Sequence, residues 1–320
     1  MNNSTYRMFT VFSLPNKDTR LDKVLSMNLP EYSRSYFKKC ILTKKVSVNG
    51  LISTKPKKKI FLKDIITTII DVTENNSIEP ENLNLSVIYE DEHLLIINKK
   101  RGMVVYPGPG HPNKTLANGL IYKNHNLLKI PRVGIVHRLD KDTTGLLVVA
   151  KTISSYYKLV GLLKLRKITR IYETIVFGKP PKIGVINKPI SRHNVQRKLM
   201  SVNIKGKKAT TRFIVIEQFH HCSHVKVQLE TGRTHQIRVH MLHIKHPILG
   251  DNVYFSKKSK KISKKILACF TNYVSRPLLH AKTIQFYHPM TNVFMSYTVN
   301  LPQDMNLIID YLKQYFSYKS

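Results

Sequence analysis

The sequence contains few cysteines and no long apolar run. Its three cysteines, Cys40, Cys222 and Cys269, are odd in number and lack the close pairing of a zinc site. We therefore expect neither a disulfide framework nor structural zinc. Apolar segments such as 94–98 and 146–150 are far shorter than the roughly 20 residues that a bilayer span requires. The N-terminus also lacks the apolar core of a secretion signal, so we expect a soluble, cytoplasmic, monomeric protein with no membrane partner.

Acidic residues are scarce as well. There are 19 Asp and Glu residues against 53 Lys and Arg residues, which gives a formal net charge of +34. This excess indicates a polyanionic partner, and with no membrane feature competing we favour nucleic acid. Much of the excess is lysine in a sequence also rich in Asn and Ile, so an AT-biased genome could have contributed to it. The length of 320 residues allows one sizeable core and a small second domain.

The strongest local signal is a compact polar cluster between two apolar segments. The run 134–136 leads into His137-Arg138-Leu-Asp140, and the run 146–150 follows as a predicted buried strand. A rigid bend that presents one carboxylate, Asp140, among cations is suited to keeping a nucleophile ionised. The alternative for an isolated Arg-x-Asp tripeptide is an ordinary turn with solvated neighbours.

A second pattern, Gly232-Arg-Thr-His-Gln-Ile-Arg-Val-His240, opens a predicted helix. Thr234 is the predicted N-cap of that helix, and Arg238 is predicted to lie one turn inside it. The histidines of this stretch, which include His235 and His240, raise the alternative of a metal site. Their spacing is not that of a zinc-binding H-E-x-x-H helix and no carboxylate lies among them, so we expect no metal.

Both patterns resemble the signatures of the RluA family of pseudouridine synthases. The family pattern H-R-L-D-x-x-T/S-S/T-G-L-L is met from His137 to Leu147, and G-R-T/S-H-Q-I/L-R-V-H is met from Gly232 to His240. The segment 99–102 resembles the family's first motif, Lys-Pro-x-Gly, with Lys100 in place of the proline. That change loosens one backbone angle without deleting a reactive group, and only its effect on the fine geometry is left open.

The resemblance implies that Asp140 attacks a uridine flipped out of its stack, with Arg238 as the partner of Asp140. Tyr172 would hold the detached uracil by stacking, although an ordinary core role in its strand is the alternative. Arg138 and His137 would contact RNA, and Arg138 could fill the vacated stack. Whether Asp140 attacks the sugar or the base, or acts through a glycal, is left open.

The resemblance also implies the substrate. Because uracil leaves the sugar and rejoins it through carbon, no group enters or leaves, and no cofactor is expected. The implied partner is large-subunit ribosomal RNA or its assembly precursor, with the number and position of the uridines open. Two alternatives remain: a sister synthase acting elsewhere on ribosomal RNA or on tRNA, and a non-catalytic RNA-binding factor of ribosome assembly.

Residues 18–75 are predicted to form a small α+β domain. Two short helices, the second starting at Ser33, precede a hairpin with an Asn-Gly turn and a closing strand at 64–71. This order resembles an S4 RNA-binding domain, against the alternative of a generic basic module. The candidate phosphate contacts lie near one stripe at helical spacing; they are Arg34, Lys38 and Lys45.

The rest of the chain is predicted to be an α+β catalytic domain around a mostly antiparallel mixed sheet, which agrees with the resemblance. Arg192 and Arg197 are candidate phosphate contacts within it. The Lys-rich stretch 254–266 reads as a solvated loop whose contact with RNA is left open. The expected organisation is a loose or edge-pairing tail (1–17), the S4-like domain (18–75), an acidic linker (76–84) and the catalytic domain (85–320).

Overall fold

The structure is a computed structural model that describes residues 4–14, 19–29, 32, 34–71, 78–197, 199–254 and 274–316. It divides the chain into two compact units, Met1–Glu79 with Lys129–Pro131, and Pro80–Leu128 with Arg132–Ser320. In this described part of the chain, every helix is too short or too polar to cross a membrane. The predicted helix start at Ser33 and nearly all of the Lys-rich stretch lie outside the described residues.

The first unit packs two helices on a four-stranded sheet of order β1-β4-β2-β3. The first helix buries one apolar face, with Leu21 and Leu25 packed in one core with Phe37 and Ile41 of the second helix. Its elements are β1 (Ser4–Thr10), α1 (Leu21–Asn28), α2 (Arg34–Leu42), β2 (Val46–Val48), β3 (Leu51–Ile52) and β4 (Ile65–Asp71).

Two details of this unit follow from the sequence. Asn49 and Gly50 both have positive φ angles, 53° and 79°, which is the turn that an Asn-Gly pair favours between two strands. Of the two alternatives for the N-terminal tail, its described residues follow the edge-pairing one, because β1 pairs antiparallel with β4 from Ser4 to Thr10 at the edge of the sheet. The two helices and the hairpin are therefore confirmed as elements, whereas their assignment to an S4 domain stays a prediction.

The second unit is built around a nine-stranded sheet of order β5-β6-β7-β14-β8-β13-β12-β9, with β15 paired to β14. Only β7 and β14 run parallel among these pairs, so the predicted mixed, mostly antiparallel sheet is confirmed for the described residues. The strands are β5 (Val87–Glu90), β6 (Leu94–Lys99), β7 (Thr144–Ala150), β8 (Thr169–Phe177), β9 (Ile183–Asn187), β10 (Ile190–Arg192), β11 (Met200–Val202), β12 (Thr210–Gln218), β13 (Cys222–Leu229), β14 (Leu279–Tyr287) and β15 (Phe294–Thr298).

Four α-helices accompany these strands in the described residues of this unit. They are α3 (Leu116–Lys123), α4 (Ile153–Lys164), α5 (Gln236–His243) and α6 (Gln303–Phe316). Thr115 and Thr152 cap the first two with their side chains, as Thr does at a helix start. The small sheet of β10 and β11 was not predicted, since strands this short carry too little alternation to be recognised.

The start of β7 is the point where the polar cluster meets the sheet. Thr144 and Gly145 lie opposite His280 and Ala281 of β14 in the parallel pair. A Cβ at Gly145, whose φ is 109°, would lie 2.2 Å from the carbonyl oxygen of Ala281. Glycine is therefore required for the two strands to approach this closely, and this approach fixes where the preceding loop ends.

The predicted cap at Thr234 is wrong. Helix α5 begins one residue later, and His235 occupies the N-cap position with a φ of 55° and no side-chain cap bond. The turn is held instead by Gln236, whose Oε1 accepts bonds from Thr231 Oγ1 at 2.8 Å and from the Arg233 N–H at 3.0 Å. This internal bonding frees the side chain of His235 to face the cavity described next.

Candidate active site

A cavity of about 630 Å³ lies where the loop before β7, strand β8 and the start of α5 meet. Sites for small molecules commonly span about 300–1,000 Å³, so a nucleotide-sized group fits this range. The cavity is lined by residues from both signatures and from β8, among them Arg138, Asp140, Tyr172, His235 and Arg238. The structure thus brings the three predicted catalytic residues, which are far apart in sequence, to one site.

Arg238 lies between two carboxylates. Its Nε and Nη2 donate to Asp251 at 2.6 and 2.8 Å, while its Nη1 donates to Asp140 Oδ2 at 3.3 Å. Asp251 also accepts the N–H groups of Val253 at 3.1 Å and Tyr254 at 3.2 Å. The arginine is therefore anchored on the buried Asp251, and it reaches Asp140 with the donor that remains.

The charge of Arg238 is stabilised by its surroundings. Burial by itself lowers the pKa of Arg238, but the hydrogen bonds and charge of Asp251 and the charge of Asp140 together raise it above its ordinary value. The guanidinium carbon also lies 4.9 Å from the ring centroid of Tyr254, within cation–π range. A fixed, permanently charged donor consequently orients Asp140.

His235 lies on another side of Asp140. Its Nε2 is 3.8 Å from Asp140 Oδ2, and its Nδ1 is 2.7 Å from the hydroxyl of Tyr254. That hydroxyl accepts the Met200 N–H at 2.9 Å. Burial lowers the pKa of His235 despite the opposing charge of Asp140. The ring is therefore neutral near pH 7, and it borders the carboxylate without neutralising it.

Tyr172 lies in the middle of β8 and is 5% exposed. In the sheet, Tyr172 lies opposite Ala281 of β14 on one side and Val227 of β13 on the other. Burial raises the pKa of the Tyr172 hydroxyl, with Asp140 adding to the shift and Arg170 opposing it. The side chain is thus a buried, protonated phenol in the cavity wall, a position compatible with both the predicted stacking role and a core role.

His137 and Arg138, which lie three and two residues before Asp140, differ in their surroundings. The Nε2 of His137 accepts the Val148 N–H at 3.1 Å, which ties the loop to β7. Burial, aided by the charge of Arg170, lowers the pKa of His137 to about 3, so the ring adds no positive charge. Arg138 is exposed at the cavity. RNA contact stays a prediction for both, and the geometry favours it for Arg138.

Lys99 binds the loop that carries Asp140, a role that the sequence left unassigned. Its buried Nζ donates to the carbonyls of Lys100 at 2.9 Å, Met103 at 3.0 Å and Lys141 at 2.9 Å. Burial lowers the pKa of Lys99 to about 7, although the charges of Asp142 and Asp140 oppose the shift. The lysine of the first motif thereby joins its own turn to the residue that follows Asp140.

The remaining predicted contacts lie away from this cavity or in the other unit. Arg192 and Arg197 are exposed and do not line the cavity. In the first unit, Arg34 and Lys38 are exposed and Lys45 is half-buried. Their roles in RNA binding stay predictions. Across the described residues, no three His, Cys, Asp or Glu side chains are grouped as metal ligands would be.

Sequence reasoning missed Asp251 and Tyr254, which hold Arg238 and His235 in place. Asp251 follows Gly250, and a Cβ at that glycine would lie 2.1 Å from the Arg276 carbonyl oxygen. Neither residue belongs to a signature quoted above, and Tyr254 stands at the edge of the Lys-rich stretch. The only available signal was an isolated acidic residue directly after a glycine, which is too common to single out a site.

Comparison with known proteins places this geometry in context. The family model described as RNA pseudouridylate synthase matches residues 93–243. Ribosomal large subunit pseudouridine synthase D of Blochmanniella floridana is 46% identical over 305 residues, which cover 92% of this chain and 95% of that protein. The protein of the same name from Escherichia coli (strain K12) is 42% identical over 299 residues, covering 93% and 91%.

Solved structures agree on the fold. Human RNA Pseudouridylate Synthase Domain Containing 4 superposes with a TM-score of 0.57 at 24% identity, over 71% of this chain and 93% of that one. Human RNA Pseudouridylate Synthase Domain Containing 1 gives a TM-score of 0.53 at 22% identity, over 74% and 96%. Together with the relatives that match along almost their whole length, these findings show that the chain belongs to the RluA family of RNA pseudouridine synthases.

Proposed function

We propose that the chain converts specific uridines of large-subunit ribosomal RNA to pseudouridine, with Asp140 as the nucleophile. The observation that carries the proposal is the position of Asp140 in a nucleotide-sized cavity. Its Oδ2 lies 3.3 Å from Nη1 of Arg238, which is anchored on Asp251. The two relatives compared above are named for the large ribosomal subunit, which supports the choice of substrate. The net charge of +34 is consistent with an RNA partner.

The target uridine has to leave its stack to reach Asp140. In a folded RNA the glycosidic bond of a stacked uridine is out of reach, so enzymes that act on a base flip it into a pocket. The exposed Arg138 at the cavity is placed to occupy the vacated position by stacking on the neighbouring bases. The buried ring of Tyr172 would then support the uracil inside.

The reaction requires only rearrangement. The bond from ribose C1′ to uracil N1 breaks, the bond from C1′ to C5 forms, C5 loses one proton and N1 gains one. Asp140 would hold one fragment while the uracil turns, through the sugar, the base or a glycal. Arg238 would keep the carboxylate oriented, since its stronger bonds to Asp251 prevent it from following Asp140.

The first unit would strengthen RNA binding in the manner of an S4 domain. Arg34 and Lys38 are exposed on α2 and Arg192 and Arg197 are exposed in the second unit, where they would contact phosphates. Such contacts carry no sequence information, so selection of the uridine would depend on the cavity and the RNA around it. A non-catalytic assembly factor would need the same basic surface but not the paired carboxylate.

The test compares wild type with Asp140→Asn on large-subunit ribosomal RNA, with pseudouridines mapped by carbodiimide-dependent reverse-transcription stops. Wild type should produce new stops, and the variant should produce none while its RNA affinity stays within about threefold, since the change removes the nucleophile and few contacts. Asp142→Asn is the matched control, because it makes the same substitution two residues away in the same loop and should retain most of the activity.

Three outcomes would contradict all or part of the proposal. Full activity of Asp140→Asn would exclude the nucleophile. Absence of stops with wild type on both ribosomal RNA and tRNA, with tight RNA binding, would favour the assembly-factor alternative. Stops on tRNA alone would keep the chemistry and reject the proposed substrate.

A further inference from the structure

Arg132 and Tyr106 form a cation–π contact at the edge of the catalytic cavity. Its guanidinium carbon lies 5.3 Å from the ring centroid of Tyr106, and its side chain also lines the cavity that holds Asp140. The residue is exposed and Tyr106 is half-buried. No carboxylate in the described part of the chain forms an ion pair with Arg132. The guanidinium therefore makes a cation–π contact with an aromatic ring, and no described carboxylate pairs with its charge.

The backbone at this point is held in an unusual conformation. Arg132, Val133 and Gly134 have φ angles of 54°, 57° and 77°, so three successive residues are left-handed. This region is unfavourable for L-residues and above all for a β-branched one such as Val133. Such strain persists where the surrounding structure enforces it, and it is concentrated at functional positions.

The surroundings do enforce it. A Cβ at Gly134 would lie 2.0 Å from the carbonyl oxygen of Ala150, so the glycine sits directly against the end of β7. Ile135 then pairs with Val149 as an isolated bridge. The Ile135 N–H also donates to the Arg132 carbonyl oxygen at 3.1 Å. These contacts fix the turn to the end of β7 opposite the loop that carries Asp140, and both Arg132 and Asp140 line the same cavity.

We propose that Arg132 and Tyr106 form a stacking site for a nucleobase of the RNA next to the uridine that enters the cavity. Unpaired bases in RNA loops are recognised by stacking on aromatic rings and on the planar guanidinium of arginine. The cation–π contact with Tyr106 restrains the Arg132 side chain before RNA arrives, so less side-chain freedom is lost on binding. The site would select RNA in which a base beside the target uridine is splayed out. This inference rests on the proposed function.

The alternative for an exposed arginine is a phosphate contact, and the substitution Arg132→Lys separates the two. Lysine retains the positive charge and would serve a phosphate, whereas it lacks the planar group that a base stacks on. Tyr106→Leu removes the ring, so it should weaken the site from the protein side. Lys158→Ala, an exposed cation on α4 that does not line the cavity, controls for loss of charge.

The experiment uses synthetic RNA stem-loops that contain one uridine converted by wild type. An abasic nucleotide is placed in turn at each of the three positions on either side, and kcat/KM is measured. For wild type, one position should lower kcat/KM by about 5- to 150-fold, the effect of one lost stacked base. On intact RNA, Arg132→Ala should show a similar loss of kcat/KM. An abasic nucleotide at the sensitive position should cause no further loss in this variant. At the other five positions it should change kcat/KM of the variant by the same factor as that of wild type. Arg132→Lys should match Arg132→Ala within about twofold.

Three results would overturn the stacking site. Wild-type kcat/KM for Arg132→Lys would indicate a phosphate contact. If the loss caused by Arg132→Ala and the loss caused by the abasic nucleotide multiplied at every position, Arg132 would touch no flanking base. An equal loss for Lys158→Ala would reduce the effect to general charge. Thermal unfolding of each variant checks folding, and Tyr106→Leu repeats the test if Arg132→Ala is unstable. A wild type that forms no pseudouridine in any RNA would instead reject the proposed function itself.

Discussion

The two units each contain a cluster of arginine and aspartate, but in opposite ratios. In the first unit one aspartate, Asp22, accepts four hydrogen bonds of 2.9–3.2 Å from two arginines, Arg20 and Arg34. The side chain of Asp22 is 4% exposed, while those of the arginines are 36% and 49% exposed. This cluster buries its negative charge and presents a surplus of positive charge to solvent.

In the second unit one arginine, Arg238, serves two aspartates. The side chain of Asp251 is 1% exposed and takes the short bonds, whereas that of Asp140 is 20% exposed and takes a single bond of 3.3 Å. Because the strongest donors of Arg238 point away from the cavity, Asp140 retains oxygen lone pairs for another partner. This cluster leaves a surplus of negative charge at its open end.

The difference shows that one kind of ion pair can leave either sign of charge in excess. A buried charge must be paired, and the pairing is strong enough to fix geometry. The group in excess is then the one left to act on something outside the protein. Excess arginine suits contact with a polyanion, and an excess carboxylate in a cavity suits attack on a base or sugar. The ratio of arginine to aspartate in each cluster, more than the presence of an ion pair, therefore predicts its role.

The largest effect is expected when the shared arginine is removed. Arg238→Met leaves Asp251 buried without a counter-ion, which should lower the free energy of unfolding by about 3–5 kcal/mol. It also frees Asp140, so pseudouridine formation should fall by at least about 100-fold. Denaturant unfolding and single-turnover assays measure the two effects. Adding Asp251→Leu should recover stability without recovering activity; full activity in either variant would show that Arg238 does not orient Asp140.

A smaller effect is expected when only the anchor of the arginine is altered. Asp251→Asn preserves the shape of the side chain but removes its charge, so Arg238 becomes free to move toward Asp140. We expect the rate of pseudouridine formation to fall by about 10- to 100-fold through misplacement, with RNA affinity nearly unchanged. Asp310→Asn, on the exposed side of α6, is the matched control. An unchanged rate would mean that the short bonds to Asp251 serve stability alone.

The pairing of Asp140 with Arg238 was predictable, whereas the anchor of that pairing was not. Both residues belong to signatures that resemble a known family, and the resemblance already associated the arginine with the carboxylate. Asp251 lies outside both signatures, and its bond to Arg238 depends on how the chain turns after α5. The left-handed backbone of His235 likewise follows from the bonds of Gln236, which no local preference of Thr234 would indicate.

The same division holds for the fold. Helices such as α1 and α4 and the buried strand β7 were predictable because their apolar periodicity is local and strong. The parallel pairing of β7 with β14 joins residues more than 130 positions apart, His280 with Thr144, and its register depends on the close approach that Gly145 permits. Local patterns contain no information on such pairings, so the position in the sheet of the loop that carries Asp140 had to come from the structure.

The smallest effect is expected at the arginine-rich cluster. Arg34→Ala removes one exposed cation while Arg20 still pairs with Asp22, so the first unit should stay folded. We expect RNA affinity to fall by about two- to fivefold, with the salt dependence of binding reduced by about one phosphate contact. The rate of the bound complex should not change, because Asp140 and Arg238 belong to the other unit. Lys39→Ala, an exposed cation on the same helix but off the stripe, is the control. Equal losses in both variants would show that the first unit attracts RNA by charge alone, whereas a loss confined to Arg34 would mean that Asp22 holds a specific contact in place.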